Sequence, residues 1–352
     1  MKQLILTITL AALVATNTSA ETVTTADLIA AIPQKAQAPD RQCWSEGALY
    51  GNVERVTIKK YNIAKKSGVT TEDMWRNREY RFNLKGNLAE EIDYTTEGTV
   101  IQKTNYKYDS RENNIEMLAK FRSGEICGKY TQKFDSQGRK IETVLYDDFG
   151  VLARKETFKY DDRGNIVENV LYDAYGPYKL YKKVFYQYDE HNNVIQESEC
   201  YKDGKVTIKE RYSYKYDPEG NMIEKCRNYP DGSPIWKKTF NKYGDLLEWT
   251  SFEDSGVQTS KNTHTYDANG NLIETTYYGK EGAIASREVH TYDNLGNKIE
   301  VSSFNNTGEL RWKSVYKYDS QGNMIEVTHY DSLSGTLYPS KTERREIVYR
   351  QN

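Results

Sequence analysis

The sequence lacks the features that assign most chains to a familiar functional class. Outside residues 4–15 it has no long hydrophobic run, and no segment reaches the eighteen or so apolar residues of a membrane helix. We therefore predict no membrane span. Lysine and arginine (49) nearly balance aspartate and glutamate (51), which argues against nucleic acid as a partner.

Recognisable catalytic motifs are also missing. The sequence contains no G-x-S-x-G, no H-E-x-x-H and no phosphate-binding P-loop. In a periodic chain an active site should appear as one copy that breaks the pattern in several chemically useful ways, and no copy does so. The most deviant copy, around Phe240, gains Trp236 and Trp249 and lacks the usual Asp. We predict a non-enzymatic protein with no catalytic residue, no metal site and no cofactor.

Cysteine is scarce. The four cysteines are too few and too scattered for a disulfide framework: Cys43, Cys127, Cys200 and Cys226. Cys200 and Cys226 occupy neighbouring repeats on a shared face. Direct stacking of repeats would allow a bond between them and a plain meander would not, because a disulfide needs Cα atoms within about 7 Å.

What the chain does contain is an internal repeat. An aromatic residue followed by Asp or Asn recurs ten times, usually with Gly three residues after the acid or amide and Glu seven after. Successive intervals are 26, 26, 26, 28, 28, 24, 26, 26 and 26 residues. We call these residues the landmark aromatics: Phe82, Tyr108, Phe134, Tyr160, Tyr188, Tyr216, Phe240, Tyr266, Tyr292 and Tyr318.

Each copy predicts a strand, a tight turn and a returning strand. Asp opens a type I turn and Gly supplies the left-handed residue that closes it, although Glu112 and Asn192 replace Gly in two copies. A second aromatic and turn signal follows about 13 residues later, which leaves room for strands of roughly 7 or 8 residues and for no helix. We predict an all-β fold of about twenty strands: an elongated antiparallel β-hairpin repeat array, forming a coiled sheet or a solenoid-like spiral with capped edges.

Two columns of the repeat carry charge or rings. Glu stands eight residues after nearly every landmark, and Lys or Arg precedes six landmarks. Cross-strand ion pairing explains this better than a carboxylate ladder for cations. Whether Glu shares a face with the aromatics depends on the hairpin register, which the sequence leaves open.

The aromatic column could pack successive hairpins together, or could offer flat rings to a polysaccharide. Packing is the favoured interpretation. His264 and His290 replace the aromatic residue two positions before the landmark, and would meet at a metal only without an intervening strand. The candidate binding residues are Tyr160, Tyr188, Tyr216, Tyr266, Tyr292 and Tyr318.

The ends of the chain differ from the array. Residues 1–20 read as a signal peptide cleaved near Ala20, followed by a tether over residues 21–40. We predict an N-terminal cap over residues 41–80, the array over 81–330 and a C-terminal cap strand over 331–352. Export places the protein in the periplasm, on the outer surface or outside the cell.

The copies YKYDPEGNMIE from Tyr214 and YKYDSQGNMIE from Tyr316 resemble the YD repeats of the RHS family, and the resemblance extends from Tyr80 to Tyr330. It implies antiparallel sheets that coil into a shell or spiral, in exported proteins linked to carbohydrate binding, cell contact or enclosure of a toxin. The chain looks closer to short, signal-bearing YD-repeat proteins of Bacteroidetes-type bacteria than to the large toxin-bearing members of the family.

These observations predict an exported binding or scaffold protein of the cell envelope that recognises a polysaccharide or a surface protein. The alternatives are a ligand-free structural component of the envelope and, less favoured, a carbohydrate-active enzyme.

Overall fold

The computed structural model describes residues 49–66, 69–173, 179–333 and 335–351. These residues form a single antiparallel sheet of 22 strands. The first eleven strands are β1 (Val53–Lys66), β2 (Val69–Phe82), β3 (Leu88–Tyr94), β4 (Val100–Tyr108), β5 (Asn114–Phe121), β6 (Ile126–Phe134), β7 (Lys140–Tyr146), β8 (Leu152–Tyr160), β9 (Ile166–Asp173), β10 (Lys179–Tyr188) and β11 (Val194–Cys200).

The second half continues in the same manner. Its strands are β12 (Val206–Tyr216), β13 (Met222–Asn228), β14 (Pro234–Phe240), β15 (Leu246–Phe252), β16 (Gln258–Tyr266), β17 (Leu272–Tyr278), β18 (Ile284–Tyr292), β19 (Lys298–Asn305), β20 (Leu310–Tyr318), β21 (Met324–Leu333) and β22 (Thr336–Tyr349). No helix in the described part of the chain is long and apolar enough to cross a membrane. The predicted signal peptide, the tether and Cys43 lie outside the described residues.

The sheet closes on itself. Each strand pairs with its neighbours in sequence, and β22 returns to pair with β1, with Val56 opposite Ile347 and Ile58 opposite Arg345. All strand pairs in extensive contact are adjacent in this ring. The protein is therefore a closed β-barrel, and the prediction of an elongated, open array with capped edges is wrong. Closure pairs the two terminal edges, whose backbone N–H and C=O groups would otherwise be unpaired.

The closure also overturns the prediction of no membrane span. That prediction rested on the absence of a long apolar run, a criterion that applies to helices. A closed ring of antiparallel strands satisfies its backbone groups internally, and barrels cross membranes with strands instead.

The turns form as their chemistry predicts. The carboxylate of Asp161 accepts the amides of Arg163 (3.0 Å) and Asn165 (2.8 Å), and Gly164 has φ 89°. Where Gly is replaced, Glu112 and Asn192 adopt the same left-handed conformation with φ 67° and 63°. The hairpin prediction is confirmed at both kinds of copy.

Cross-strand pairing settles the question of register. Lys107 lies opposite Glu116, whereas Tyr106 lies opposite Met117. Since side chains alternate along a strand, the Glu column and the aromatic column occupy opposite faces of the sheet. We call them the Glu face and the aromatic face.

The same pairing makes the sheet climb. Lys107 pairs with Glu116, and Glu116 pairs with Thr131. Lys107 stands one residue before its landmark and Thr131 stands three before its own, so in most repeats a hairpin lies two residues higher than the one before it. Strands of a closed sheet must tilt to absorb this climb.

The climb identifies the outer face. The backbone amide of Asp109, one residue beyond β4 and in alternation with Lys107 of the Glu face, donates to the carbonyl of Asn113, one residue before β5. In a strand of L-residues, the direction of this amide fixes on which side the next strand lies when the Glu face is viewed. Combined with the two-residue climb, it makes the strands coil about the barrel axis in the right-handed sense of natural barrels only when the Glu face points outward. The aromatic face therefore lines the lumen. Twenty-two strands about 4.8 Å apart, each tilted by about 35° to the barrel axis, give a circumference of about 130 Å, and a circular ring of that size is roughly 40 Å across.

Aliphatic packing is concentrated where the ring closes. Leu49, Val53, Val56, Ile58 and Leu88 are each at most 2% exposed, and form one cluster with Tyr80 and Phe82. Ile347 and Tyr349 of β22 pack against this cluster. Residues near both ends of the described chain thus form the apolar contacts where β1 pairs with β22.

Candidate functional site: the lumen face

The six candidate tyrosines lie in one row at the landmark rim of the lumen, on alternate strands. Five of them donate their hydroxyl to a backbone carbonyl of the preceding strand, and the donor–acceptor pairs are Tyr160–Lys140 (2.6 Å), Tyr188–Ile166 (2.7 Å), Tyr266–Leu246 (2.8 Å), Tyr292–Leu272 (2.8 Å) and Tyr318–Lys298 (2.8 Å). Tyr216 instead lies against the preceding turn, 2.6 Å from the Asn193 amide nitrogen. The row thus ties each hairpin to its neighbour.

Burial governs the chemistry of this row. Burial raises the pKa of Tyr160, Tyr188 and Tyr318 above the usual value, so these phenols stay protonated and able to donate. Shallow clefts remain between successive turns at the rim: one is lined by Tyr266 and His264, and the next by Tyr292 and His290. The hydroxyls are occupied internally, whereas parts of the rings still border open clefts.

One level deeper, the lumen carries a second row of rings, with Tyr106, Tyr186, Tyr214 and Tyr316 all half-buried. Burial raises the pKa of Tyr214 to about 12. His264 and His290 belong to this row, on β16 and β18, and β17 lies between them. The His264 Nδ1 lies 3.1 Å from the Thr275 hydroxyl. Burial lowers the pKa of both imidazoles, which keeps them neutral.

The intervening strand places the backbones of the two histidines about 9.6 Å apart, so the two imidazoles are not positioned to bind the same metal ion. Within the described residues there is no group of three or more His, Cys, Asp or Glu side chains that could hold a metal ion. Cys200 and Cys226 are likewise separated by one strand, β12, and both are free thiols. The chain follows the plain meander that disfavours their pairing.

Ion pairs also line the lumen. Arg78 bridges Glu91 and Asp93, and Lys60 pairs with Glu343 at 2.8 Å. Burial alone would raise the pKa of Glu343, but the hydrogen bond from Lys60 and the charge of Arg345 outweigh it and lower that pKa. The lumen is thus a mixed surface of rings and paired charges, which suits a hydrated polymer better than a lipid-like ligand.

Outside, the Glu face is a series of cross-strand ion pairs. Lys107–Glu116 (2.7 Å), Lys133–Glu142 (2.8 Å) and Lys159–Glu168 (2.8 Å) repeat the same contact around the ring. The sequence-based preference for charge pairing over a cation ladder is confirmed. Exposed pairs of this kind contribute at most about 1 kcal/mol each.

Sequence reasoning missed a different feature of the lumen, on β12 to β15. Two lysines, Lys225 and Lys238, face each other directly there, between Tyr214 on one side and Trp249 on the other. The available signal was the 24-residue interval that ends at Phe240, the shortest in the chain. We call these four residues, with Tyr212 and Trp236, the lysine–tryptophan patch.

No family model matches the chain, and no curated protein matches it. Solved structures do resemble it in part. The crystal structure of TcdB2-TccC3-TEV matches 81% of this chain at 12% identity with a TM-score of 0.34, and the Photorhabdus luminescens Tc holotoxin pore matches 82% at 11% identity with a TM-score of 0.34. The chain spans about a fifth of the length of these toxin chains, since it covers 19% and 18% of them.

A porin-like protein from Bacteroides uniformis is also similar. The match covers 85% of this chain and 99% of that one, at 10% identity with a TM-score of 0.28. The structural neighbours of this barrel thus include a Tc toxin component and a porin-like protein. All three TM-scores are too low to transfer any property from these proteins.

Proposed function

We propose that the protein is an exported, non-enzymatic barrel of YD-type repeats that serves the cell envelope by holding an elongated ligand, a polysaccharide chain, against its aromatic lumen face. The observation that supports this most is the closed barrel whose lumen face carries two rows of aromatic side chains at regular intervals. Tyr and Trp offer flat apolar faces for sugar rings, and the polar groups between them suit a hydrated polymer.

The landmark tyrosines contribute mainly through their ring faces. Their hydroxyls already donate to backbone carbonyls, so those groups are not free to recognise a ligand. The second row of tyrosines lies deeper and is the better candidate for direct contact. A ligand-free structural role is the second candidate, because the landmark row holds successive hairpins together whether or not a ligand is present.

The test is a glycan and cell-wall binding assay on the full chain as the cell exports it. One variant replaces Tyr106, Tyr186 and Tyr316 of the lumen with Ala. A matched variant replaces three tyrosines of the outer Glu face with Ala, namely Tyr146, Tyr172 and Tyr278. Both variants lose three half-buried rings, so they control for the general cost of removing aromatic packing.

We expect wild type and the outer-face variant to bind a polysaccharide and the lumen variant to lose that binding, with circular dichroism showing all three folded. Equal loss in both variants would contradict a lumen site. Absence of glycan binding by folded wild type, together with stable co-purification with another envelope component, would favour the structural role.

A further inference from the structure

Like charges face each other in the lysine–tryptophan patch. Lys225 of β13 lies directly opposite Lys238 of β14 on the lumen face. Directly opposed side chains in an antiparallel pair have Cβ atoms about 5 Å apart, and like charges at that position destabilise the pair. Like charges also face each other elsewhere in the barrel, as at Lys103 and Lys120, but there Lys103 forms an ion pair with Glu90 at 2.7 Å.

A local change of register creates this contact. In most repeats the Glu column pairs with the residue three before the next landmark, as Glu142 does with Thr157. Glu224 pairs instead with Thr239, only one residue before Phe240. The shortened 24-residue interval thus slips β14 by two residues, which brings Lys238 level with Lys225.

No acidic side chain neutralises the two ammonium groups. Neither lysine forms an ion pair anywhere in the described part of the chain. The neighbouring lumen cations differ, since Arg227 pairs with Glu210 and Lys182 pairs with Glu199 at 2.6 Å. Two positive charges without an ion-pair partner therefore lie side by side on the lumen face, at β13 and β14.

Aromatic rings flank both ammonium groups. The Lys238 nitrogen lies 4.4 Å from the ring centre of Trp249 and 5.1 Å from that of Trp236. The Lys225 nitrogen lies 5.5 Å from the ring centre of Tyr214 and 5.8 Å from that of Tyr212. Trp249 is 38% exposed, so part of a large ring faces the lumen. These contacts orient the lysines but supply no negative charge.

We infer that the lysine–tryptophan patch binds the carboxylate of an acidic sugar within a polysaccharide. The two ammonium groups of Lys225 and Lys238 hold the carboxylate, and Trp249 stacks on the sugar ring beside it. A bound carboxylate removes the like-charge repulsion, because it gives each ammonium an opposite charge and a charge-assisted hydrogen bond. This inference rests on the proposed function and names the class of polysaccharide that the lumen takes.

The test measures binding of polygalacturonate, with neutral dextran as the comparison, by titration calorimetry at low and at high salt. The variant Lys225→Glu removes one ammonium and places a carboxylate opposite Lys238. The control variant, Lys159→Met, removes an ammonium from the outer face, near the landmark end of β8. A further variant, Trp249→Leu, keeps both charges and removes the ring.

We expect wild type to bind polygalacturonate more tightly than dextran, with affinity falling as salt rises. Lys225→Glu should weaken binding at least about tenfold, the scale of one hydrogen bond to a charged group. The same variant should raise the melting temperature, because it replaces a repulsive pair by an attractive one, so lost binding will not reflect unfolding. Trp249→Leu should weaken binding and Lys159→Met should not.

Binding of dextran in preference to polygalacturonate would overturn the acidic-sugar inference while leaving the proposed lumen site intact. Polygalacturonate binding that survives Lys225→Glu, or that Lys159→Met weakens equally, would move the site away from this patch. Failure of wild type to bind any polysaccharide would overturn the inference and the proposed function together.

Discussion

The landmark row makes a quantitative prediction about stability. Replacing Tyr160, Tyr188, Tyr266, Tyr292 and Tyr318 by Phe keeps every ring and removes five hydroxyls, each donating to a carbonyl at 2.6–2.8 Å. Losing one such hydrogen bond costs about 1 kcal/mol, and the five sites lie on different hairpins. The quintuple variant should therefore lose about 5 kcal/mol of unfolding free energy.

Urea unfolding followed by circular dichroism and by tyrosine and tryptophan fluorescence is the assay. Each single variant should lower the midpoint by a similar amount, and the quintuple variant should lower it by roughly the sum. The chain itself supplies the precedent for folding, since Phe82, Phe134 and Phe240 occupy the same column. An unchanged midpoint in the quintuple variant would refute the claim that this row holds the hairpins together.

Three further outcomes follow. Replacing Asn192 or Glu112 by Gly should stabilise the barrel by about 1 kcal/mol in the same urea assay. Both residues adopt the left-handed backbone conformation, with φ 63° and 67°, which costs Gly less than any other residue. A lower midpoint of unfolding in either variant would contradict this. Burial lowers the pKa of His264 and His290, so their contribution to stability is present above the ordinary histidine pKa and is lost as pH falls below it. The double variant with Phe at both positions should flatten the decline in melting temperature between about pH 7 and pH 5, and an unaltered pH profile would argue against this cause. Fractionation and mass spectrometry should find the chain in the envelope or the medium beginning near Glu21, and an intact N-terminus in the cytoplasm would contradict export.

The sequence predicts the local structure of this protein well, because each landmark turn carries its own chemistry. Asp161, Gly164 and Glu168 stand at fixed distances in the chain and form a turn, a left-handed residue and a cross-strand pair in the structure. Such short-range rules recur ten times, so strand positions follow from the repeat.

The closure could not be predicted in the same way. It depends on Val56 and Ile58 meeting Ile347 and Arg345, almost 300 residues apart, and neither segment has the repeat pattern. Nothing in the period of 26 residues states whether a meander stays open or returns to its first strand. The aliphatic residues Val53, Val56 and Ile58 were recognisable as strand-forming, but the strand with which they pair was not.

The candidate site was predicted in part. The aromatic column does lie on one face, and the preference for packing fits the hydrogen bonds of Tyr160 and its equivalents. The lysine–tryptophan patch was overlooked because Lys225 and Lys238 look unremarkable one at a time. Their opposition arises only from the register slip at β14, which requires cross-strand pairing to be known.

Closure of the ring is the central claim, and a cross-link between β1 and β22 tests it most directly. Thr57 lies opposite Glu346, both on the outer Glu face. Cysteines at these two positions, in a background where the four native cysteines are replaced by Ser, have the separation that a disulfide requires. A matched control places the second cysteine at Lys159 of β8 instead, seven strands away from β1 around the barrel.

We expect peptide mapping to show that a disulfide joins residues 57 and 346 in nearly every molecule after mild oxidation, with none between residues 57 and 159. A closed barrel predicts this result for the monomer at high dilution. Failure of the 57–346 bond to form in folded monomer, or its formation only between two chains, would contradict the closed ring and restore an open array.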